Sequence, residues 1–170
     1  DTESQKASVR HTLEMAENLP VKVALSLSDP FCVERHHQDF NELIRSRVDL
    51  LFCNQEEAFT MMETQVTQEA LAGLSENVET VVMTLGNRGS LICNQGQIYY
   101  IDPIEVEVVD TTGAGDAYAA GFLYGFSHDQ SIMNCGRIAS VMAGTVIEQI
   151  GPRIESASMK TLKERLSNIP

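Results

Sequence analysis

The chain has no tryptophan, its aromatic residues amount to 6%, and basic residues are scarce among its 170 positions. Twelve Lys and Arg face 24 Asp and Glu, a formal net charge of -12 with a pI near 4.6. Repulsion of that size opposes long-range contact with DNA, RNA or an anionic membrane surface, so neither nucleic acid nor membrane is an expected partner. A small phosphorylated ligand is not excluded, because backbone N–H groups and a bound metal can make a positive pocket inside an acidic protein. Cysteine occurs four times, at Cys32, Cys53, Cys93 and Cys135, never as Cys-x-x-Cys, and no secretory leader opens the sequence. Reduced thiols in a cytoplasmic protein are therefore expected, not a disulfide framework or a zinc site. The apolar runs "VKVALSL" and "VVMTL" are far too short to span a bilayer, and there is no low-complexity tract or internal repeat.

What is present suffices for a core. At 43% hydrophobic residues the expectation is one compact domain over residues 1–170. The chain opens on Asp1, not Met, directly in a helical pattern, which points to a portion of a longer polypeptide.

The patterning alternates. Val9, Leu13 and Ala16 recur at helical spacing from about Ser4 to Leu19, and Pro20 precedes an alternating strand of Val21, Val23, Leu25 and Leu27. "HHQDFNELIRSR" puts Phe40, Leu43 and Ile44 on one helical face, and "VDLLFCN" follows as a buried-strand run. Helical "EEAFTMM" and "TQEALAGL" lead to the strand "TVVMTLG". This rhythm predicts an α/β fold with three αβα layers around a mostly parallel sheet. It breaks near residues 90–101, where "SLIC" and "IYYI" flank "NQGQ" and Gly96 suits a hairpin turn. "IEVEVVD" reads as a further strand. Ser127 and Gln130 have capping-box spacing for a helix reaching about Gln149, which Gly151 and Pro152 end. A last helix carries Met159, Leu162 and Leu166 on one side.

The densest glycine motif is "VDTTGAGDAYAAG" at 109–121. Gly113 and Gly115 permit a sharp turn and close approach of a ligand to the amides. The helix that follows brings unpaired N–H groups and a positive dipole end, which together suit phosphate or the charge of a transferring phosphoryl group. Asp116, in the first turn, is the candidate general base. The plainer alternative is a tight turn, with Asp116 a favourable first-turn acid and Ala117, Ala120 and Gly121 allowing close helix packing. No lysine follows the glycines as a P-loop requires, and the interval to Gly121 is wrong for a dinucleotide fingerprint.

Two further segments leave strand ends. "NQEE" offers Asn54 and Glu57, either as a helix cap with its first-turn acid or as oxygen donors near a divalent cation. "TLGNRG" offers Thr84, Gly86 and Gly89, either as an ordinary turn or as a hydroxyl and close backbone approach to a nucleotide.

"DTTGAGDAYAAGFLYG" resembles the C-terminal signature of the ribokinase-like, or PfkB, family of carbohydrate and nucleoside kinases. The resemblance is strengthened by order: N-x-x-E, T-x-G-x-x-G, then D-T-x-G-A-G-D. It implies that Asp116 deprotonates an acceptor hydroxyl and that the Gly113, Ala114 and Gly115 amides stabilise the phosphoryl group. It implies that Asn54 and Glu57 arrange Mg²⁺, its waters and the phosphates of ATP, with Glu57 acting through water, and that Thr84, Gly86 and Gly89 lie along the nucleotide. Asp110 and Thr112 match positions that help bind a monovalent cation, so K⁺ is a secondary expectation beside a purely structural role. In "IASVMAGTVIEQIG" the resemblance brings Ala143, Val146 or Ile147 to the adenine, where helical periodicity alone says core.

The same resemblance implies that only the C-terminal half of the family's length is here, without the N-terminal portion and its small β-lid, so that this stretch alone is expected to be inactive. The acceptor expected is a small sugar or nucleoside. "ALSLSDPF" is similar to adenosine kinases and bacterial sugar-kinase relatives, which favours a ribosyl primary hydroxyl while leaving ribose-like and fructose-like sugars open. A non-catalytic nucleotide-binding module is the alternative, and no oligomeric state is implied. His36 and His37, with Cys32 nearby, read as helix-start or surface residues and not as ligands, and Met61, Met62, Tyr99 and Tyr100 as packing.

Overall fold

A computed structural model describes residues 2–169. Five strands form a mixed, mostly parallel sheet in the order β1-β2-β3-β4-β5, flanked by helices. The chain divides into two compact units, residues 1–83 with 93–97 and residues 84–92 with 98–170.

The first unit begins with α1 (Glu3–Ala16), which Thr2 caps in a reciprocal box with Gln5. β1 (Ala24–Ser26) pairs in parallel with β2 (Leu50–Asn54), Leu25 lying opposite Leu51. The strand predicted from Val21 is shortened at its start. Residues 21–23 find other partners: the Val21 carbonyl accepts from Arg47, the Val23 amide donates to the Asp49 carboxylate at 2.8 Å, and the Lys22 ammonium bridges Asp49 and Glu79. α2 (Pro30–Arg35) and α3 (His37–Ser46) follow, then α4 (Gln55–Met62), α5 (Thr67–Ser75) and β3 (Thr80–Thr84). β2 and β3 are buried along nearly their whole length, as their uninterrupted apolar runs require, and Leu27, Leu51, Val81 and Val82 are fully enclosed. His36 and His37 sit at the start of α3. His37 Nε2 donates to the Met61 carbonyl at 2.9 Å, a structural role, and no group of metal-holding side chains occurs among the described residues.

The hairpin falls where the sequence places it, β4 (Ser90–Asn94) and β5 (Gln97–Ile101) joined by Gln95 and Gly96, both at positive φ (49° and 81°). Two consecutive left-handed residues give the turn whose twist matches antiparallel strands. In the second unit α6 (Ala114–Ser127) packs on α7 (Ile132–Ile147) through glycines. A β-carbon at Gly121 would lie 2.8 Å from the Ala139 Cα, and one at Gly125 would lie 3.0 Å from the Cys135 Cα. α8 (Met159–Ser167) closes the chain, its Arg165 donating to both carboxylate oxygens of Glu148 at 2.5 and 3.0 Å.

Two expectations are corrected here. Ser127 does not open a helix with Gln130; it ends α6, and Ser131 caps α7 by accepting from the Asn134 amide. Asp129 at φ 54° makes the break between the two helices. "IEVEVVD" is not a strand of the sheet. It is a strap, residues 102–110, whose Ile104 and Val106 lie half-buried against Gly144 of α7 while Val108 is exposed, so its period two does not report a ladder partner. All four cysteines are free, three of them buried, and no described helix is long and apolar enough to cross a membrane.

Candidate active site

In the second unit the glycine motif forms a turn before α6. Gly113 stands at the helix N-cap with φ 80°, and no side chain caps α6. Close packing explains the residue choice, since a β-carbon there would sit 2.6 Å from the Pro152 Cβ. Asp110 holds the turn from below: its Oδ1 accepts from the Thr112 amide at 2.9 Å and the Thr112 hydroxyl at 2.7 Å, and its Oδ2 accepts from the Gly151 amide at 2.9 Å. These bonds, led by the Thr112 hydroxyl, hold the Asp110 carboxyl below its ordinary pKa.

The first-turn amides differ in availability. The Ala114 N–H donates to the Thr111 carbonyl at 3.1 Å and is committed to the turn. Gly115 and Asp116 belong to the first turn proper, whose N–H groups have no intrahelical acceptor. Gly115 has open space where a β-carbon would stand, and the Asp116 side chain is exposed.

A cavity of about 640 Å³ opens beside this turn. Ala114 and Gly115 line it, as do Thr84, Gly86 and Gly89, so the structure brings together two motifs separated by more than twenty residues. Thr84 ends β3, and the 3₁₀ turn Gly86–Arg88 follows, with Gly86 and Gly89 at φ 63° and 82°. Of the three α7 residues expected near a base, Ala143 and Ile147 line the cavity, while Val146 is fully buried in the core. Asp116 adjoins the lining and is not part of it.

Sequence reasoning passed over other lining residues: Ile104, Val106 and Val108 of the strap, Ser140 and Gly144 of α7, and Tyr118. Tyr118 is buried, its hydroxyl 2.5 Å from that of Ser90, and burial pushes its pKa up to about 12. The position of Tyr118 two residues after Asp116 was a usable signal. The strap residues gave none, because they read as an ordinary strand.

The first unit holds the third motif. Asn54 caps α4 through the Glu57 amide, and Glu57 returns the bond from both carboxylate oxygens, Oε2 accepting from the Asn54 amide at 2.9 Å and Oε1 from Asn54 Nδ2 at 2.7 Å. The capping alternative therefore holds in full. Yet Glu57 is only 5% exposed, and burial, followed by the neighbouring Asp29 and Glu56 charges, raises its pKa against the opposing Asn54 bond. Asp29, which caps α2 at the end of the β1 segment, is a second acid the sequence reading did not single out.

The sequence profile described as pfkB family carbohydrate kinase matches residues 1–159. An uncharacterised sugar kinase of Archaeoglobus fulgidus is 32% identical over 120 residues, 71% of this chain and 48% of that protein. A Lactococcus lactis ribokinase is 27% identical over 122 residues, 72% of this chain and 40% of that protein. Among solved structures, the adenosine kinase from Sinorhizobium meliloti superposes with a TM-score of 0.88 at 37% identity, over 94% of this chain and 50% of its own. The chain thus spans about half the length of the relatives it matches. With the profile running through all three motifs and the backbone following a relative at that level of identity, the chain belongs to the pfkB family of carbohydrate kinases.

Proposed function

We propose that this chain is the C-terminal, nucleotide-binding and catalytic portion of a longer cytoplasmic kinase that moves the γ-phosphoryl group of ATP to a hydroxyl of a sugar or nucleoside. The observation that carries the reading is the cavity shared by Thr84, Gly86 and Gly89 with Ala114 and Gly115, the residue before Asp116. A nucleotide laid along that cavity ends its phosphates at the uncapped first turn of α6, where Gly115 and Asp116 present amides to an anion. Asp116 takes the proton of the acceptor hydroxyl, that oxygen attacks the γ-phosphorus, the bond to the β-phosphate oxygen breaks, and ADP leaves. Gly113 supports this by its conformation and Ala114 by its backbone bond to Thr111, which holds the turn in shape.

Asn54 and Glu57 fit Mg²⁺ through water and not by direct ligation, since both Glu57 oxygens are already engaged by Asn54. Held there, Mg²⁺ would supply positive charge to offset an anionic ligand. For Asp110 and Thr112 the proposal is support of the turn, with K⁺ reached through neighbouring backbone carbonyls, because the Asp110 oxygens already accept three bonds.

Adenosine is the first acceptor to test, on the strength of "ALSLSDPF" and the adenosine kinase superposition, with ribose and fructose beside it. The half-length coverage favours a second reading, in which this chain alone binds nucleotide without turnover. Both are tested by coupled ATP consumption in the full-length protein and in the 170-residue chain, with each acceptor. Asp116→Asn in the full-length protein is expected to lower kcat by roughly 10²–10⁴-fold while ATP affinity stays within a few-fold. Near-normal kcat in that variant rules out the base assignment.

A further inference from the structure

Between α7 and the 3₁₀ turn Ser156–Ser158 the chain is irregular, and one side chain fixes its course. Gln149, half-buried just past the end of α7, uses both ends of its amide on this loop. Its Nε2 donates to the Arg153 carbonyl, while Oε1 accepts from the Glu155 amide at 3.2 Å and from the Ser158 hydroxyl at 3.1 Å. A backbone N–H can only donate, so the atom facing Glu155 is the oxygen, and the orientation of the amide follows. Residues 149–158 are thereby closed on themselves around a single glutamine.

Held in this way, the loop presents Gly151 and Pro152 to the glycine turn. The Gly151 amide donates to Asp110 Oδ2 at 2.9 Å, and Asp110 Oδ1 accepts from the Thr112 amide and hydroxyl. Pro152 packs on Gly113 so closely that a β-carbon there would lie 2.6 Å from the Pro152 Cβ and 3.2 Å from its carbonyl oxygen. From the other side the Ile147 carbonyl accepts from the Val109 and Asp110 amides at 2.8 and 3.2 Å. The turn therefore rests on two supports, the end of α7 and residues 151–152, and Gln149 stands between them in the chain. Gly113 is the N-cap of α6, so a displacement of Pro152 passes directly to the first turn that holds Gly115 and Asp116.

We propose that Gln149 is a positioning residue for phosphoryl transfer: by bracing the 150–158 loop it seats Gly151 and Pro152 against the glycine turn and so sets where Asp116 and the first-turn amides of α6 stand. The inference rests on the kinase reading above and goes beyond it by giving a role to a residue outside both the cavity lining and the three motifs. Gln149 touches no reacting group and acts only through the loop.

Two variants separate its bonds. Gln149→Met keeps the length of the side chain and loses all of them, whereas Gln149→Glu keeps the acceptor bonds and loses the donation to Arg153. In the full-length protein, kcat and KM are measured by coupled ATP consumption well below each variant's Tm, and deuterium exchange is followed by mass spectrometry in peptides covering residues 110–118. Gln149→Met is expected to lower kcat by roughly 10–100-fold, the scale on which misplacing reacting groups acts, to leave the acceptor KM within a few-fold, and to speed exchange at 110–118. Gln149→Glu moves kcat and exchange in the same direction by less, and carries the measurement should the methionine variant fail to fold by circular dichroism. A glutamine with a structural role alone would lower Tm while kcat and local exchange stay at parent values, a result that overturns the inference and leaves the kinase reading standing. Faster exchange with parental kcat also overturns it, since the brace then does not bear on the reaction. A fall in kcat with unchanged exchange overturns it likewise, because Gln149 then does not act through the turn. An inactive full-length parent overturns the kinase reading, and the inference with it.

Discussion

Gly113 and Gly115 lie two residues apart in one turn, yet they are glycine for different reasons, and alanine at each position should separate stability from binding. Gly113 has φ 80°, and its added β-carbon would meet the Pro152 Cβ at 2.6 Å and Cα at 2.8 Å. An L-residue in the left-handed region costs about 1–2 kcal/mol, and forcing a methyl against backbone costs about 1–3 kcal/mol more. A combined loss of about 3 kcal/mol corresponds to a Tm fall of roughly 6–12 °C in a chain of this size. Gly115 has no such constraint. It lies in the first turn of α6 with nothing within 4 Å of a β-carbon, so alanine there should leave stability unchanged or raise it by up to about 1 kcal/mol from helix propensity, with Tm no lower than the parent's. The same methyl would stand on the cavity wall where a phosphate must approach the amides, and a steric cost of about 1–3 kcal/mol predicts roughly a 10–100-fold weaker nucleotide affinity. Differential scanning fluorimetry and ATP titration on both variants give the comparison. If Gly115→Ala binds ATP like the parent, the first-turn amides are not where the phosphates sit. If Gly113→Ala melts like the parent, the account of the turn's geometry is wrong.

Tyr118→Phe leaves the fully buried Ser90 hydroxyl without its tyrosine partner and should cost about 1–2 kcal/mol by denaturant melt. An alkaline absorbance titration of the parent should show a tyrosinate step near the Tyr118 value of about 12, missing from that variant. Arg165→Ala removes the two bonds to Glu148, a pair with side chains 27% and 32% exposed, so solvent screening limits the loss to about 0.5–1 kcal/mol. Because Arg165 holds the Glu148 carboxyl below its ordinary 4.5, the pair's contribution is whole above that pH and fades as pH falls through the lowered value. The parent and Arg165→Ala melting curves should therefore differ at pH 7 and converge in acid.

Elements whose local chemistry decides their structure were legible in the sequence. Gly96 announces a hairpin because glycine readily accepts the left-handed conformation its turn needs, and β2 and β3 announce themselves by unbroken apolar runs. What was not legible depends on partners distant in sequence. Val21 to Val23 alternate like a strand but are claimed by Arg47, Asp49 and Glu79, whose approach no local pattern encodes. In "IEVEVVD" Ile104 and Val106 lie on α7, and a helix carrying a glycine notch takes alternating residues as well as a neighbouring strand does. Ser127 and Ser131 both have cap chemistry, and the left-handed Asp129 between them decides which is used. At the site, Gly86, Gly89 and Gly115 were readable as backbone that something approaches, whereas Ile104 and Ser140 became visible only once the strap was on its helix.

The Asn54–Glu57 pair shows why a structural role and a functional one need not compete. An ordinary capping glutamate keeps its carboxylate in water, where the reciprocal bonds come at little desolvation cost. Glu57 completes the same box while 5% exposed, with Asp29 and Glu56 adding like charge, and its raised pKa records that the ionised form is disfavoured there. The reciprocal box itself needs one acceptor, which glutamine also supplies; the second bond, from Asn54 Nδ2, is one that a carboxylate accepts and a glutamine NH2 does not. The cap does explain how such an acid is held: its two oxygens accept one bond each from Asn54, while the Glu57 amide donates back to Asn54 Oδ1. An ionised Glu57 gains most from a cation in the outer sphere, which relieves both the burial and the repulsion from Asp29. Glu57→Gln should then keep α4 intact by circular dichroism while weakening the Mg²⁺ dependence of ATP binding. An unchanged Mg²⁺ dependence would leave the buried charge without a role in the proposed site.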